Sequence, residues 1–193
     1  MRKTYINGLG CISAQKTFDT LFLEEAMLNE TANVLPLEIP VYKDFISPTA
    51  IRRMAKGVKN GIVASTLAMK EANNENFDAI ITGTGMGCID DSDKFLRALI
   101  DNNEEFLTPT SFIQSTHNTV SGQIALGLQC HGYNFTYVNP SSSLEFSMLD
   151  AKLQINDGEA ETVLVGSTDE QNERTIEFFK LNKRIKKQEN LPV

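Results

Sequence analysis

The chain has 193 residues, 41% of them hydrophobic and 22% charged, which suits one domain with a sizeable core. A formal charge of -7, with no basic stripe to offset it, argues against a nucleic-acid binder. No run reaches the roughly 18 apolar residues of a membrane span, and the start MRKTYINGLG lacks the apolar core of a signal peptide, so a cytoplasmic protein is expected.

Residues 4–12 (TYINGLGCI) read as a β-branched and aromatic first core strand, broken by Gly8 and Gly10. Residues 16–30 can form a helix, and the prolines at 36, 40 and 48 mark the following stretch as loop. From Ser47-Pro48 to about Ala72, Ile51, Met54, Ala55, Val58, Ile62 and Met69 recur at three- and four-residue steps, which predicts one long amphipathic helix. Asn73-Asn74 should end it. Residues 77–83 (FDAIITG) form a continuous apolar strand of the kind buried on both faces.

That strand runs into Gly83-Thr84-Gly85-Met86-Gly87 and a helix from Asp91-Ser92 to Asp101. The glycines fit neither G-x-G-x-x-G nor a Walker motif, and Asp90-Asp91 would repel an anion, so a tight structural turn is expected. Helix 113–129, strand 133–139, helix 142–156, strand 161–166 and a last helix near 172–186 complete the order. Strands alternating with helices predict a mostly parallel sheet with both faces covered.

Cys11, Cys88 and Cys130 are isolated, and with only His117 and His131 beside them no metal site is expected. No cofactor motif emerges. Lys180, Lys183, Arg184, Lys186 and Lys187 form the one basic cluster, read as a solvated helix end that suits the helix macrodipole.

The segment from Asn118 to Asp169 carries a further pattern. Asn118, Gly122 and Ala125 give N-x-x-x-G-x-x-A; Gly132 precedes a strand; and Gly158, Ala160 and Gly166 follow in step. With Tyr5 to Gly10 near the start, this resembles the N-terminal half of the thiolase-like β-ketoacyl-ACP synthases. The resemblance implies a single domain over 1–193: an α/β half-fold with a mixed, mostly parallel five-stranded sheet and helices on both faces. It places Ser141 where the family has its acylated cysteine and Leu144 where it has the next glycine. It assigns the two catalytic histidines to a C-terminal half outside these residues.

A thiol at a helix N-terminus is partly thiolate, whereas a serine hydroxyl stays protonated until a base takes its proton. Ser142 and Glu145 have the spacing of a capping box, so the serines are read first as helix caps. The alternative makes Ser141 a nucleophile with its own N–H in an oxyanion hole, and His117 or Glu145 its base. His117 is read as a hydrogen-bonded interior or interface residue, and His131 as a turn residue.

Three functions remain open at this stage. The resemblance implies a non-condensing subunit of chain-length-factor type, paired with an active ketosynthase in fatty-acid, aryl-polyene or polyketide synthesis. Asn134, Phe135, Thr136, Tyr137 and Val138 would then form the subunit interface, and the basic cluster would dock an acyl carrier protein. The second is a stand-alone acyltransferase or thioesterase using Ser141. The third is a bare half-domain that self-associates, as a homodimer when alone, to hide its uncovered face.

Overall fold

The computed structural model describes residues 3–18 and 34–185. A short 3-10 turn (Tyr42–Asp44) leads into α1 (Pro48–Ile51) and α2 (Lys56–Ala72). Then follow β1 (Ala79–Thr84), α3 (Ile89–Asp101), α4 (Pro109–Ser115) and α5 (Thr119–Leu128). The chain continues through β2 (Tyr133–Val138), α6 (Ser143–Asp157), β3 (Val163–Ser167) and α7 (Glu173–Leu181).

The three strands form one parallel sheet in the order β2-β1-β3. Ala79–Thr84 run opposite Tyr133–Val138 on one side, and Ala79 and Gly83 face Val163 and Ser167 on the other. All six residues of β1 are buried, as its continuous apolar run requires of a central strand. Successive side chains of β2 point to opposite faces. Thr136 meets Ser121 of α5 through its hydroxyl, while Tyr137 stacks on Phe146 of α6. The sheet is therefore covered by α2 and α5 on one face and α6 on the other, as expected. Val58, Ile80, Val120, Ile124 and Leu164 make the core on the α2–α5 side.

The α/β class holds, with three of the five strands expected of a mixed sheet formed among the described residues, all parallel. Four local expectations need correction. Residues 4–12 supply none of the three strands: they are largely exposed and enter no ladder pairing among the described residues. The helix expected over 48–72 breaks between Ile51 and Lys56, because Gln114 Oε1 takes the Ala55 N–H at 2.8 Å and holds that residue outside helical geometry. The helix over 113–129 breaks likewise, with Thr116 extended (φ −80°, ψ 145°) and Asn118 opening α5. The capping box at α6 is absent, since Ser142 makes no side-chain cap. Asn73 does end α2, in the left-handed conformation. The expected helix over 16–30 lies mostly outside the described residues.

Two glycines show where backbone closeness matters and where it does not. A Cβ on Gly132 would stand 1.8 Å from the Asp78 carbonyl oxygen, whereas one on Gly127 would meet nothing within 4 Å. Gly132→Ala should therefore destabilise the protein by about 2–4 kcal/mol, from forced separation of α5's exit loop and the start of β1. Gly127→Ala, near the end of α5, should stabilise it by about 0.5–1 kcal/mol. Urea unfolding of both variants checks the pair.

Candidate functional site

In a parallel sheet the strands release their loops at the same edge, and ligand sites form there. Here three loops converge: the glycine turn after β1, Asn139-Pro140-Ser141 after β2, and Thr168-Asp169-Glu170 after β3. Asp169 organises the first. Its Oδ1 accepts the N–H of Gly85 at 2.7 Å, the N–H of Met86 at 3.2 Å and the Thr84 hydroxyl at 3.1 Å. The turn's main-chain donors, which a phosphate would need, are thus taken by a carboxylate of the protein itself. The structural reading of the glycines follows from that bond set.

Glu170 turns the other way, into the core. It is 8% exposed, its Oε1 accepts the N–H of Gly57 in the first turn of α2, and its Oε2 has no hydrogen-bond partner among the described residues. Burial, with Asp90 and Asp91 close by, pushes this carboxyl above its ordinary value. Cys88 packs against the same spot. Burial first, then Glu170 and Asp91, push its thiol up to about 12, which rules it out as a thiolate nucleophile near neutral pH. Cys11 and Cys130 are half-buried and free, and no group of His, Cys, Asp or Glu among the described residues is placed to hold a metal ion.

Ser141 is exposed just before α6. Asn139 Oδ1 accepts the N–H of Ser141 at 2.9 Å and of Ser142 at 3.0 Å, the second being the N–H that Glu145 would take in a capping box. The Ser141 N–H proposed for an oxyanion hole is therefore engaged, and the hydroxyl makes no hydrogen bond to His117, Glu145 or any other described residue. His117 is exposed at the break between α4 and α5, which removes the interior half of its reading as an interior or interface residue, and its ring lies against Gly87. Pro140 lies against Gly85. The fold thus brings His117 and the Ser141 loop to opposite ends of one glycine turn, without joining them. His131 is exposed in the α5–β2 loop, and Glu145 is exposed in α6.

The interface candidates lie on β2, at the outer edge of the sheet. Asn134, Phe135 and Val138 are exposed; Tyr133, Phe135, Tyr137 and Phe146 form a continuous aromatic row over α6. Tyr133 anchors the row by donating to Asp150 Oδ2 at 3.1 Å, and burial followed by that bond pushes its phenol up to about 12. Thr136 instead faces inward between Thr82, at 3.0 Å, and Ser121, at 2.9 Å. Sequence reading missed Asn139, Asp169 and Glu170. The dipeptide Asn139-Pro140 was a usable turn signal, but the targets of the two acids lie 84 and 113 residues away.

The sign of the Glu170 effect follows from its raised carboxyl. The folded state holds the proton more tightly than the unfolded state, so its contribution is full below the ordinary value of 4.5 and is lost as pH rises through the folded value. Glu170→Gln keeps an acceptor for Gly57 and cannot ionise. The variant should gain stability relative to wild type as pH climbs above 4.5, measured as urea midpoints from pH 4 to 8. A constant difference across that range would contradict the assignment.

The sequence profile of the β-ketoacyl synthase N-terminal domain matches residues 42–189. No curated protein matches the chain by sequence. Among solved structures, a ketosynthase in complex with its chain length factor from Xenorhabdus doucetiae aligns with TM-score 0.61 and 19% identity, over 83% of this chain and 61% of that one. A β-ketoacyl synthase from Burkholderia phymatum STM815 aligns with TM-score 0.65 and 17% identity, over 92% of this chain and 44% of that one. A type II polyketide-synthase acyl-carrier protein in complex with its ketosynthase gives TM-score 0.65 and 19% identity, over 76% and 44%. The chain thus spans 44–61% of the length of these three structures. At these identities the structures establish the fold, which is thiolase-like. With the profile covering most of its residues, the chain belongs to the β-ketoacyl synthase N-terminal domain family.

Proposed function

We propose that this chain is a non-condensing, ketosynthase-like subunit of chain-length-factor type, acting beside an active ketosynthase in fatty-acid, aryl-polyene or polyketide synthesis. The observation that carries the reading is the state of the nucleophile position: Ser141 has its N–H held by Asn139 and its hydroxyl beside no base. Acyl transfer from a serine needs both an activating base and donors aimed at the developing oxyanion. Neither is assembled at Ser141 by the described residues.

The partner's place is the free edge of β2, where Phe135 and Val138 are 44% and 53% exposed beside the aromatic row. Alone, the chain would cover this edge with a second copy as a homodimer. The solved relatives lend support, since one is described as a ketosynthase with its chain length factor and another as a ketosynthase with its acyl-carrier protein. Lys180, Lys183 and Arg184, all exposed near the end of α7, would meet such an acidic carrier.

Condensation should be absent from wild type and from Ser141→Cys alike, at the no-protein rate. The assay follows carbon dioxide and a two-carbon-longer product from acyl- and malonyl-carrier protein. Intact-mass spectrometry after exposure to an activated acyl thioester should show no adduct on Ser141. An adduct lost in Ser141→Ala would favour a serine acyltransferase or thioesterase; turnover by wild type alone would overturn the non-condensing reading. A ketosynthase expressed with the chain should co-sediment with it, and Phe135→Asp should weaken that complex at least tenfold by disturbing the β2 edge (about 1.4 kcal/mol).

A further inference from the structure

Three times in the chain a glycine follows Asn or Asp: Asn7-Gly8, Asn60-Gly61 and Asp157-Gly158. In such a step the glycine nitrogen can close a five-membered ring on the preceding side-chain carbonyl, and glycine hinders the closure least because it has no Cβ. The fold treats the three steps differently. Asn60 and Gly61 lie inside α2, where the helix ladder takes the Gly61 N–H and the Tyr42 hydroxyl donates to Asn60 Oδ1 at 2.6 Å. Gly158 ends α6 with its N–H on the Ile155 carbonyl oxygen at 3.3 Å, and the Asp157 carboxylate must be protonated before an oxygen can leave it as water.

Asn7-Gly8 has none of this protection. Asn7 is exposed, and neither its side chain nor the Gly8 N–H makes a hydrogen bond among the described residues. The run is held instead through its neighbours. Glu71 Oε2 accepts the Leu9 N–H, and Gly8 and Gly10 are seated on α2, where a Cβ on either would stand 2.2 Å and 2.0 Å from the carbonyl oxygens of Ala68 and Ala64. The close seat therefore requires at position 8 the one residue that leaves Asn7 most open to attack.

We propose that Asn7-Gly8 is a covalent modification site, at which the main chain rearranges without an enzyme and residues 7–10 are lifted off α2. The Gly8 nitrogen attacks Asn7 Cγ. The N–Cγ bond forms, the bond from Cγ to the side-chain nitrogen breaks, and that nitrogen leaves as ammonia carrying the Gly8 proton. Water then opens the succinimide ring. Attack at Cγ yields aspartate at position 7, whereas attack at the main-chain carbonyl yields isoaspartate, with the chain running through Cβ. Either product adds one negative charge, taking the formal charge from -7 to -8. Isoaspartate also lengthens the main chain by one carbon, about 1.5 Å. The Gly8 seat and the Leu9–Glu71 bond then cannot both stay in register. Nothing in this step depends on the chemistry of Ser141.

Trypsin separates the three sites into peptides 4–16, 60–70 and 153–174, which mass spectrometry reads individually. The full chain is aged at mildly alkaline pH, where the attacking nitrogen loses its proton more readily, beside synthetic peptides of residues 4–16 and 56–70. Peptide 4–16 from the full chain should gain about 1 Da, the mass of an amide becoming a carboxyl, at a rate within about tenfold of its synthetic counterpart. Position 60 should react at least about tenfold more slowly in the full chain than in its peptide, because α2 must open first. Asn7→Gln, which would need a six-membered ring, should leave peptide 4–16 unchanged. Methyl transfer from S-adenosylmethionine by an isoaspartate methyltransferase identifies the isoaspartate form. In that form the Leu9 amide should exchange at least about tenfold faster than in Asn7→Asp, which carries the same charge on an unaltered main chain. Protection of Asn7 by more than about tenfold relative to its peptide, or a rate no faster than at Asn60 or Asp157, overturns the proposal. So does equal Leu9 exchange in the isoaspartate form and in Asn7→Asp. If either variant fails to fold, the comparison of wild-type chain with synthetic peptides, and of Leu9 exchange before and after ageing, still decides the question.

Discussion

Asp169 and Glu170 leave the end of β3 side by side and point in opposite directions, and the arrangement of the sheet's functional edge depends on that divergence. Asp169 reaches over the top of the central strand to gather the turn after β1. Glu170 dips into the core and fixes the first turn of α2, where a carboxylate is favoured by the helix dipole. Adjacent residues in an extended chain present their side chains to opposite faces, so two consecutive acids can serve two layers at once. The cost falls on Glu170, whose ionised form is disfavoured by burial and by the nearby Asp90 and Asp91, against the opposing pull of the Gly57 and Asp90 N–H groups.

The same edge has a single electrostatic logic. Gly85 and Met86 give their N–H groups to Asp169, Gly57 gives its N–H to Glu170, and Ser141 and Ser142 give theirs to Asn139. These are the donors that a parallel α/β sheet offers to a phosphate or an oxyanion. Here each has an acceptor from the protein itself. An incoming anion would have to displace a charge-assisted or an Asx-turn bond before gaining any of its own. The Ser141 N–H is thus already engaged, and restoring a thiol alone would leave the Asn139 bond in place.

Much of this fold was legible in the chain because much of it is local. The unbroken apolar run at 79–84 reads as a central strand because burial on both faces leaves no room for polar alternation. The end of α2 reads from Asn73 because the left-handed cap is a property of that residue type. What could not be read is set by distant partners. The periodicity from Ile51 to Met69 continues straight through a break that exists because a glutamine 59 residues away claims the Ala55 N–H. Ser142 and Glu145 carry the spacing of a capping box, yet Asn139, three residues upstream of Ser142, takes the Ser142 N–H that Glu145 would need. Local spacing shows which bonds can form; competition among all the groups in reach decides which do.

Residues 4–12 show the same limit from the other side. Their composition is that of a strand, but strand propensity reflects fit to a pleated, half-buried surface and needs a neighbour to be realised. Gly8 and Gly10 let this run lie down on α2, and β3 faces it across an open trough. The local signal and the packing surface are both present, but no strand pairs with the run among the described residues. A sheet open at both edges exposes unpaired main chain on two sides, a state that natural sheets usually cover, charge or twist away. β2 carries no charged residue among its six, and β3 none among its five. Neither edge has the protection expected of one that faces water permanently. The two edges are thus alike in lacking charge and differ in what stands beside them: an aromatic row at β2, and at β3 a trough whose other wall is the run 4–12.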